Sequence, residues 1–227
     1  MFILCSPHNP IGRVWTLDEL HKMAEICSKH HVLILSDEIH ADFVYPPHKH
    51  HILASILPQM QDNIITCTSP SKTFNLAGLQ ISNVFITNPK MRARFEAELM
   101  RTGFHTVGIM GIVACKAAYT YGKPWLNDLL HYFGDNIAFV RSQLENRLPK
   151  VKIADTQGTY LLWLDFNAYN LTQVELDRII QDRAKLWLNS GTAFGYGGEG
   201  FERLNVATHR NVLEQAVNQL VEAFKDL

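Results

Sequence analysis

Ile64-Ile65-Thr66-Cys67-Thr68-Ser69-Pro70-Ser71-Lys72-Thr73-Phe74 reads as a strand that breaks into a turn carrying a lysine. Ile64–Cys67 is short, rich in β-branched residues and free of sustained polar alternation. That is the pattern of a strand covered on both faces of a parallel sheet. Working outward, Phe2–Cys5 ends in the turn-rich Ser6-Pro7-His8-Asn9-Pro10-Ile11-Gly12, and Val32–Leu35 runs straight into Ser36-Asp37-Glu38. Ile81–Ile86 makes a fourth run. Helices separate these runs. Thr16 opens one with Glu19 as its capping-box partner, and Leu17, Leu20, Met23, Ala24 and Cys27 recur at helical spacing. Asn88-Pro89 caps another that continues through Arg101. The alternation predicts an α/β protein whose mixed, mostly parallel sheet is flanked by helices.

The pattern changes further on. A helix starting near Gly122-Lys123-Pro124 is expected to reach about Arg147, with proline at a helix-start position. Val151–Ala154, Gly158–Phe166 and Arg203–Ala207 read as strands, and helices follow from Thr172 and over Asn211–Phe224. This is the look of a smaller α+β domain, with Trp163 and Phe166 in its core. The division predicted is residues 1–122 for part of a large domain and 123–227 for a connecting helix and small C-terminal domain. With 21 basic and 22 acidic side chains, the charge balance offers no surface for nucleic acid or an anionic membrane. No apolar run is long enough to span a bilayer. Four scattered cysteines without a CxxC suggest free thiols in a reducing cytoplasm.

Asn9, Asp37 and Lys72 each fall just past the C-terminal end of an expected strand, where open α/β sheets bind ligands. An amide, a carboxylate and an amine are therefore expected to line one cleft. A lysine placed there has a chemical use as a nucleophile able to form a Schiff base. A nearby carboxylate suits a cofactor with a cationic ring nitrogen, the arrangement of pyridoxal phosphate (PLP) enzymes. Other polar stretches read differently. Tyr45-Pro46-Pro47-His48-Lys49-His50-His51, with Asp42 upstream, is taken as a solvated loop and not as a metal site. Gly195-Tyr196-Gly197-Gly198-Glu199-Gly200 lacks the ending of a phosphate loop and reads as a mobile loop delivering Arg203.

At these same residues the chain resembles the class I/II aminotransferase superfamily of PLP enzymes. Asn9-Pro10-Ile11-Gly12 is similar to its Asn-Pro-x-Gly turn, and Ser36-Asp37-Glu38-Ile39-His40 to its Asp-x-x-(Tyr/His) segment. Ser69-Pro70-Ser71-Lys72 resembles its Ser-x-Ser-Lys segment, and Phe201-Glu202-Arg203-Leu204 its arginine near the C-terminus. The motifs stand in family order across essentially the whole chain. Two departures, His40 in place of tyrosine and Gln80 in place of an arginine, count against a plain aminotransferase. The longer strings around Asn9, Asp37 and Lys72 look most like the cystathionine β-lyase, or cysteine C–S lyase, branch.

The resemblance implies a PLP-dependent transferase-like fold. It implies that Lys72 holds PLP and shuttles the Cα proton, and that Asp37 pairs with the ring nitrogen. Asn9 would bond the ring oxygen, with His40 also at the cofactor. Ser69 and Ser71 would donate to the phosphate, and Arg203 would clamp the substrate carboxylate through a bidentate fork. The expected activity is β-elimination from L-cystathionine or related cysteine S-conjugates. The alternatives are an amino acid aminotransferase and a non-catalytic relic or binding domain. The family pattern further implies that the chain begins partway through a large domain, that the full-length protein is a homodimer, and that the present chain exposes an unpaired sheet edge.

Overall fold

Three of the apolar runs pair as expected. β1 (Phe2–Cys5), β2 (Ile34–Asp37) and β3 (Ile64–Thr68) form parallel ladders in the register Leu4↔Ser36 and Ser36↔Thr66. The fourth run departs from the parallel pattern. β4 (Asn83–Ile86) lies antiparallel to β3, with Thr68↔Asn83 and Ile65↔Ile86, so the sheet order is β1-β2-β3-β4 and the sheet is mixed. The computed structural model describes residues 1–104 and 106–227. It divides into two units, Met1–Pro7 with Val14–Asp128, and His8–Arg13 with Leu129–Leu227.

In the first unit, α1 (Leu17–Lys29) begins with the expected capping box: the Thr16 hydroxyl accepts from the Glu19 N–H, and the Thr16 N–H donates to Glu19 Oε2 at 2.9 Å. Its Leu20, Ala24 and Cys27 pack with Leu4, Ile34 and Ile64 of the strands and with Leu53 of α2 (Leu53–Ile56). One face of the sheet is thus closed. On the other face Ile3 is 61% exposed, and Leu35 and Ile65 are only half-buried. The expectation of strands buried on both faces is corrected here, because α1 and α2 cover only the Leu4, Ile34 and Ile64 side. A one-turn helix, α3 (Pro70–Thr73), follows β3. Beyond β4 come α4 (Pro89–Arg101), capped by Asn88 as expected, and α5 (Ile109–Tyr121). α6 (Lys123–Arg147) matches the helix anticipated there.

The second unit is built on an antiparallel sheet, β5 (Lys152–Ile153), β6 (Leu161–Asp165), β7 (Asn189–Ser190) and β8 (Phe201–Asn205), in the order β5-β6-β8-β7. β8 starts two residues earlier than the sequence suggested. Helices α7 (Gln173–Arg178) and α8 (Arg210–Phe224) complete the unit. Leu162, Leu164, Val140, Leu144 and Leu220 are wholly buried, and Phe166 packs on Phe224 with ring centroids 5.1 Å apart. Trp163 stacks on Phe201, so both aromatics expected in the core are there. Fully buried Asn136 ties α6 to the chain after β8. Its amide donates to the Val206 and Thr208 carbonyls, and its Oδ1 accepts from Arg210 Nε.

Candidate active site

Strand ends position the acidic and basic groups of the first unit. Asp37 is the last residue of β2, and its Oδ1 accepts the Ile39 N–H at 3.2 Å, which fixes the carboxylate in the turn. Cys67 lies opposite it in register on β3. Burial pushes the Cys67 thiol up, and the negative charges of Asp37 and Glu38 push it further, which places the Asp37 carboxylate beside that strand. One residue past β3, Ser69 caps α3 by accepting the Ser71 N–H at 3.1 Å, with Pro70 at the first helical position. Lys72 is thereby held one turn beyond the strand adjacent to Asp37.

The backbone around Lys72 is pinned on both sides. Thr73 is fully buried and donates to Asp42 Oδ2 at 2.7 Å. Phe74 meets Tyr119 edge-on and lies against Trp125. Lys72 is exposed, and its amine has no hydrogen-bond or ion-pair partner among the described residues. Ser69 Oγ lies 2.7 Å from both the Ile81 carbonyl and Ser71 Oγ. Its single hydrogen serves the carbonyl, since that oxygen can only accept, so the Ser71 hydroxyl is the more adaptable of the two.

Asn9 and Arg203 belong to the second unit and are hydrogen-bonded to each other. Arg203 Nη1 donates to Asn9 Oδ1 at 2.7 Å, and Nη2 to Asn189 Oδ1 at 2.8 Å. Because a guanidinium only donates, Asn9 presents its oxygen to Arg203 and keeps its NH2 as a donor. The guanidinium also lies over the Phe194 ring, 4.7 Å from the centroid. Burial lowers the Arg203 pKa, and the neighbouring Tyr160 opposes that shift. Neither Glu199 nor Glu202 forms an ion pair with it among the described residues.

His40 is buried, 3% exposed, within the turn after Asp37. The His-rich stretch departs from the solvated loop expected of it. His50 Nε2 lies 2.8 Å from Glu38 Oε2, with Glu38 buried and His50 mostly so. Glu38 also accepts from the Ser36 hydroxyl and the Leu53 N–H. Glu38 and His50 border a cavity of about 700 Å³ with Asp42, Thr66 and Tyr119. Burial, then Asp42 and Cys115, pushes Tyr119 up to about 12. Strand alternation puts Thr66 on the face opposite Asp37, and neither Asp37 nor Lys72 lines this cavity. No set of three metal-ligating side chains occurs among the described residues. The Glu38–His50 pair escaped sequence reading because its members stand 12 positions apart on a proline-broken stretch.

The family model for aminotransferase class I and II matches residues 1–220. Cystathionine beta-lyase PatB of Bacillus subtilis is 42% identical over 223 residues, an alignment that covers 98% of this chain and 58% of that protein. The PLP-bound crystal structure of a Clostridium difficile 630 protein superposes with a TM-score of 0.96 at 44% identity, covering 98% of this chain and 57% of that one. Cystalysin from Treponema denticola, whose crystal structure contains PLP, gives a TM-score of 0.96 at 38% identity, with 99% and 57% covered. The fold is thus the PLP-dependent transferase-like one, and the chain spans just under three-fifths of the length of these relatives.

Proposed function

The chain belongs to the aminotransferase class I and II family, and we propose that it works as part of a PLP-dependent carbon–sulfur β-lyase, splitting L-cystathionine or another cysteine S-conjugate into pyruvate, ammonia and a thiol. The observation that carries this reading is the pairing of Asp37 and Lys72 at the C-terminal ends of adjacent parallel strands, in a chain so similar to a cystathionine β-lyase. The donor set fits the cofactor: an exposed amine and an amide NH2 that have no partner among the described residues, a carboxylate fixed by one N–H, and a serine hydroxyl bonded to its neighbouring serine.

Bound PLP supplies an electron sink that stabilises negative charge at the substrate Cα. The chain's own residues do the rest. Lys72 would hold the cofactor through its amine and, once released, carry the Cα proton. The Asp37 carboxylate would serve a protonated ring nitrogen. Asn9 would offer its NH2 to the ring oxygen, with His40 also at the cofactor, and Ser71 with Ser69 would serve the phosphate. Arg203 binds the substrate α-carboxylate, exchanging contacts with Asn9 and Asn189 for the planar two-oxygen group that its fork matches. The thiolate leaves from Cβ as electrons return from Cα, and hydrolysis of what remains gives pyruvate and ammonia. Residues 1–122 serve as cofactor-binding domain and 123–227 as connecting helix and small domain. A homodimer in the cytoplasm fits this reading.

The family name favours one other outcome, transamination by the same residues. The chain extended to the length of its relatives, given cystathionine and PLP but no keto acid, should release pyruvate, ammonia and homocysteine continuously. A single turnover that resumes only when a keto acid is added would replace the lyase assignment with an aminotransferase.

A further inference from the structure

The second unit contains a buried acid that the roles above do not use. Glu202 precedes Arg203 on β8, is 2% exposed, and by strand alternation points to the opposite face from the guanidinium. Its Oε1 lies 3.2 Å from Gln173 Nε2, the same nitrogen that is 2.7 Å from Asp177 Oδ1, so two carboxyl groups converge on one amide of α7 with no cation paired to either among the described residues. Two carboxyl groups can share a hydrogen bond only if a proton lies between them.

Gln173 makes this pair the centre of a larger cluster. Its NH2 lies 2.7 Å from Asp177 Oδ1 and 2.9 Å from Ser190 Oγ, while its carbonyl accepts the Gly200 N–H at 2.8 Å. Ser190 is the neighbour of Asn189, which accepts a hydrogen bond from Arg203. The strand holding both is only two residues long, so few ladder bonds keep it beside β8. The cluster therefore fixes α7, β7, Gly200 and the start of β8 around the backbone that carries Arg203.

We propose that Glu202 and Asp177 share a proton that locks β7 and β8 in place, so that both act as positioning residues for Arg203 and its hold on a carboxylate slackens when the proton is lost. The proposal deepens the assignment of Arg203 as carboxylate clamp and rests on it for its functional meaning. Burial first, then the hydrogen bond to Asp177 and its charge, push Glu202 up to about 8, with Gln173 pulling the other way. The groups facing it are Asp177 and Gln173 from α7, Ser190 from β7 and Leu164 opposite on β6. A cavity of about 210 Å³ beside it, lined by Ile180, Gln181, Trp187 and Ala193, brings no cation from the described residues. On the guanidinium's side the titratable neighbour is Tyr160, which burial raises above its ordinary value and so keeps apart from the Glu202 step.

The test follows two signals, as pH rises, in the chain extended to the length of its relatives. The carboxyl ¹³C resonance of Glu202 should titrate in a step near pH 8, and the ¹⁵N resonance of Arg203 Nε should move with it. Glu202→Gln and Asp177→Asn, each close to isosteric, should leave the Arg203 signal still through that range. Cystathionine binding should weaken by about tenfold across the same step, equivalent to about 1.4 kcal/mol, and become flat in Glu202→Gln. An Arg203 resonance indifferent to the step in the parent chain, or moving equally in both variants, overturns the proposal. If Arg203 follows the step but Arg203→Leu binds cystathionine as the parent does, the clamp assignment fails while the positioning by the carboxyl pair stands.

Discussion

Replacing Glu202 by glutamine should make the protein's stability less dependent on pH, and the sign follows from burial. The Glu202 pKa rises from 4.5 to about 8 on folding. Below pH 4.5 the group is protonated in both states and the folded chain bears no penalty. Between pH 4.5 and 8 the unfolded chain gives up the proton while the folded chain keeps it, so stability falls as pH rises. Above pH 8 both states are ionised and the loss is complete. A shift of this size corresponds to a ceiling of about 5 kcal/mol, at about 1.36 kcal/mol per unit. Gln173 and the adjoining cavity solvate part of the charge, so about 2–3 kcal/mol is the expected loss. Glutamine keeps the shape and the acceptor oxygen but cannot ionise. Urea unfolding of parent and Glu202→Gln at pH 5 and pH 8.5 isolates the effect, because the other titrating groups cancel in the difference. The variant should gain about 2–3 kcal/mol relative to the parent between the two values. An equal pH slope in both proteins refutes the reasoning.

Lys72→Ala, in the chain extended to the length of its relatives, should abolish turnover and the absorbance of covalently held PLP, since one amine holds the cofactor and carries the proton. Arg203→Lys should raise KM with a smaller change in kcat, because an ammonium cannot keep both Asn9 and Asn189 while meeting two carboxylate oxygens; unchanged kinetics would remove Arg203 from the site. Asn136→Ala should cost about 2–4 kcal/mol in denaturant unfolding, because the buried Val206 and part-buried Thr208 carbonyls lose their shared donor. The 227-residue chain alone should self-associate through its open sheet face, and Ile3→Lys should reduce its sedimentation coefficient towards that of a monomer.

What could be read in the sequence was local. Thr16 with Glu19, Thr172 with Glu175, and Asn88-Pro89 announce helices because each cap is completed within three residues. Asp37 and Lys72 were legible because a strand followed immediately by a polar turn fixes where its last side chains stand. The direction of β4 was not, since a four-residue apolar run looks the same pointing either way. β8 was expected to begin at Arg203, after a loop over residues 195–200, yet it begins at Phe201, and Glu202 faces inward together with Leu204 and Val206. That inward alternation was the available signal for the buried acid. The bond between Arg203 and Asn9 joins residues 194 apart, and no periodicity reports on such a pair.

The polar residues fall into two energetic kinds, and the contrast bears on what each is for. Asp37, half-buried, and Lys72, exposed, stand at or beyond strand ends, where charge can be kept at modest cost. Glu202 sits mid-strand among Leu204 and Val206, where leucine would bury more apolar area and remove a titrating group. Stability alone therefore gives no reason for an acid at that position. A carboxyl there does something leucine cannot: paired with Asp177 through a proton and joined to Gln173, it ties a two-residue strand and a glycine turn to the backbone of Arg203. An arginine that exchanges Asn9 and Asn189 for a substrate carboxylate needs a backbone that stays still during the exchange, because the bidentate fork tolerates little misplacement. Under the proposed function, the buried acid places rigidity behind the arginine that would bind the carboxylate, while the strand ends leave freedom to the residues that would react.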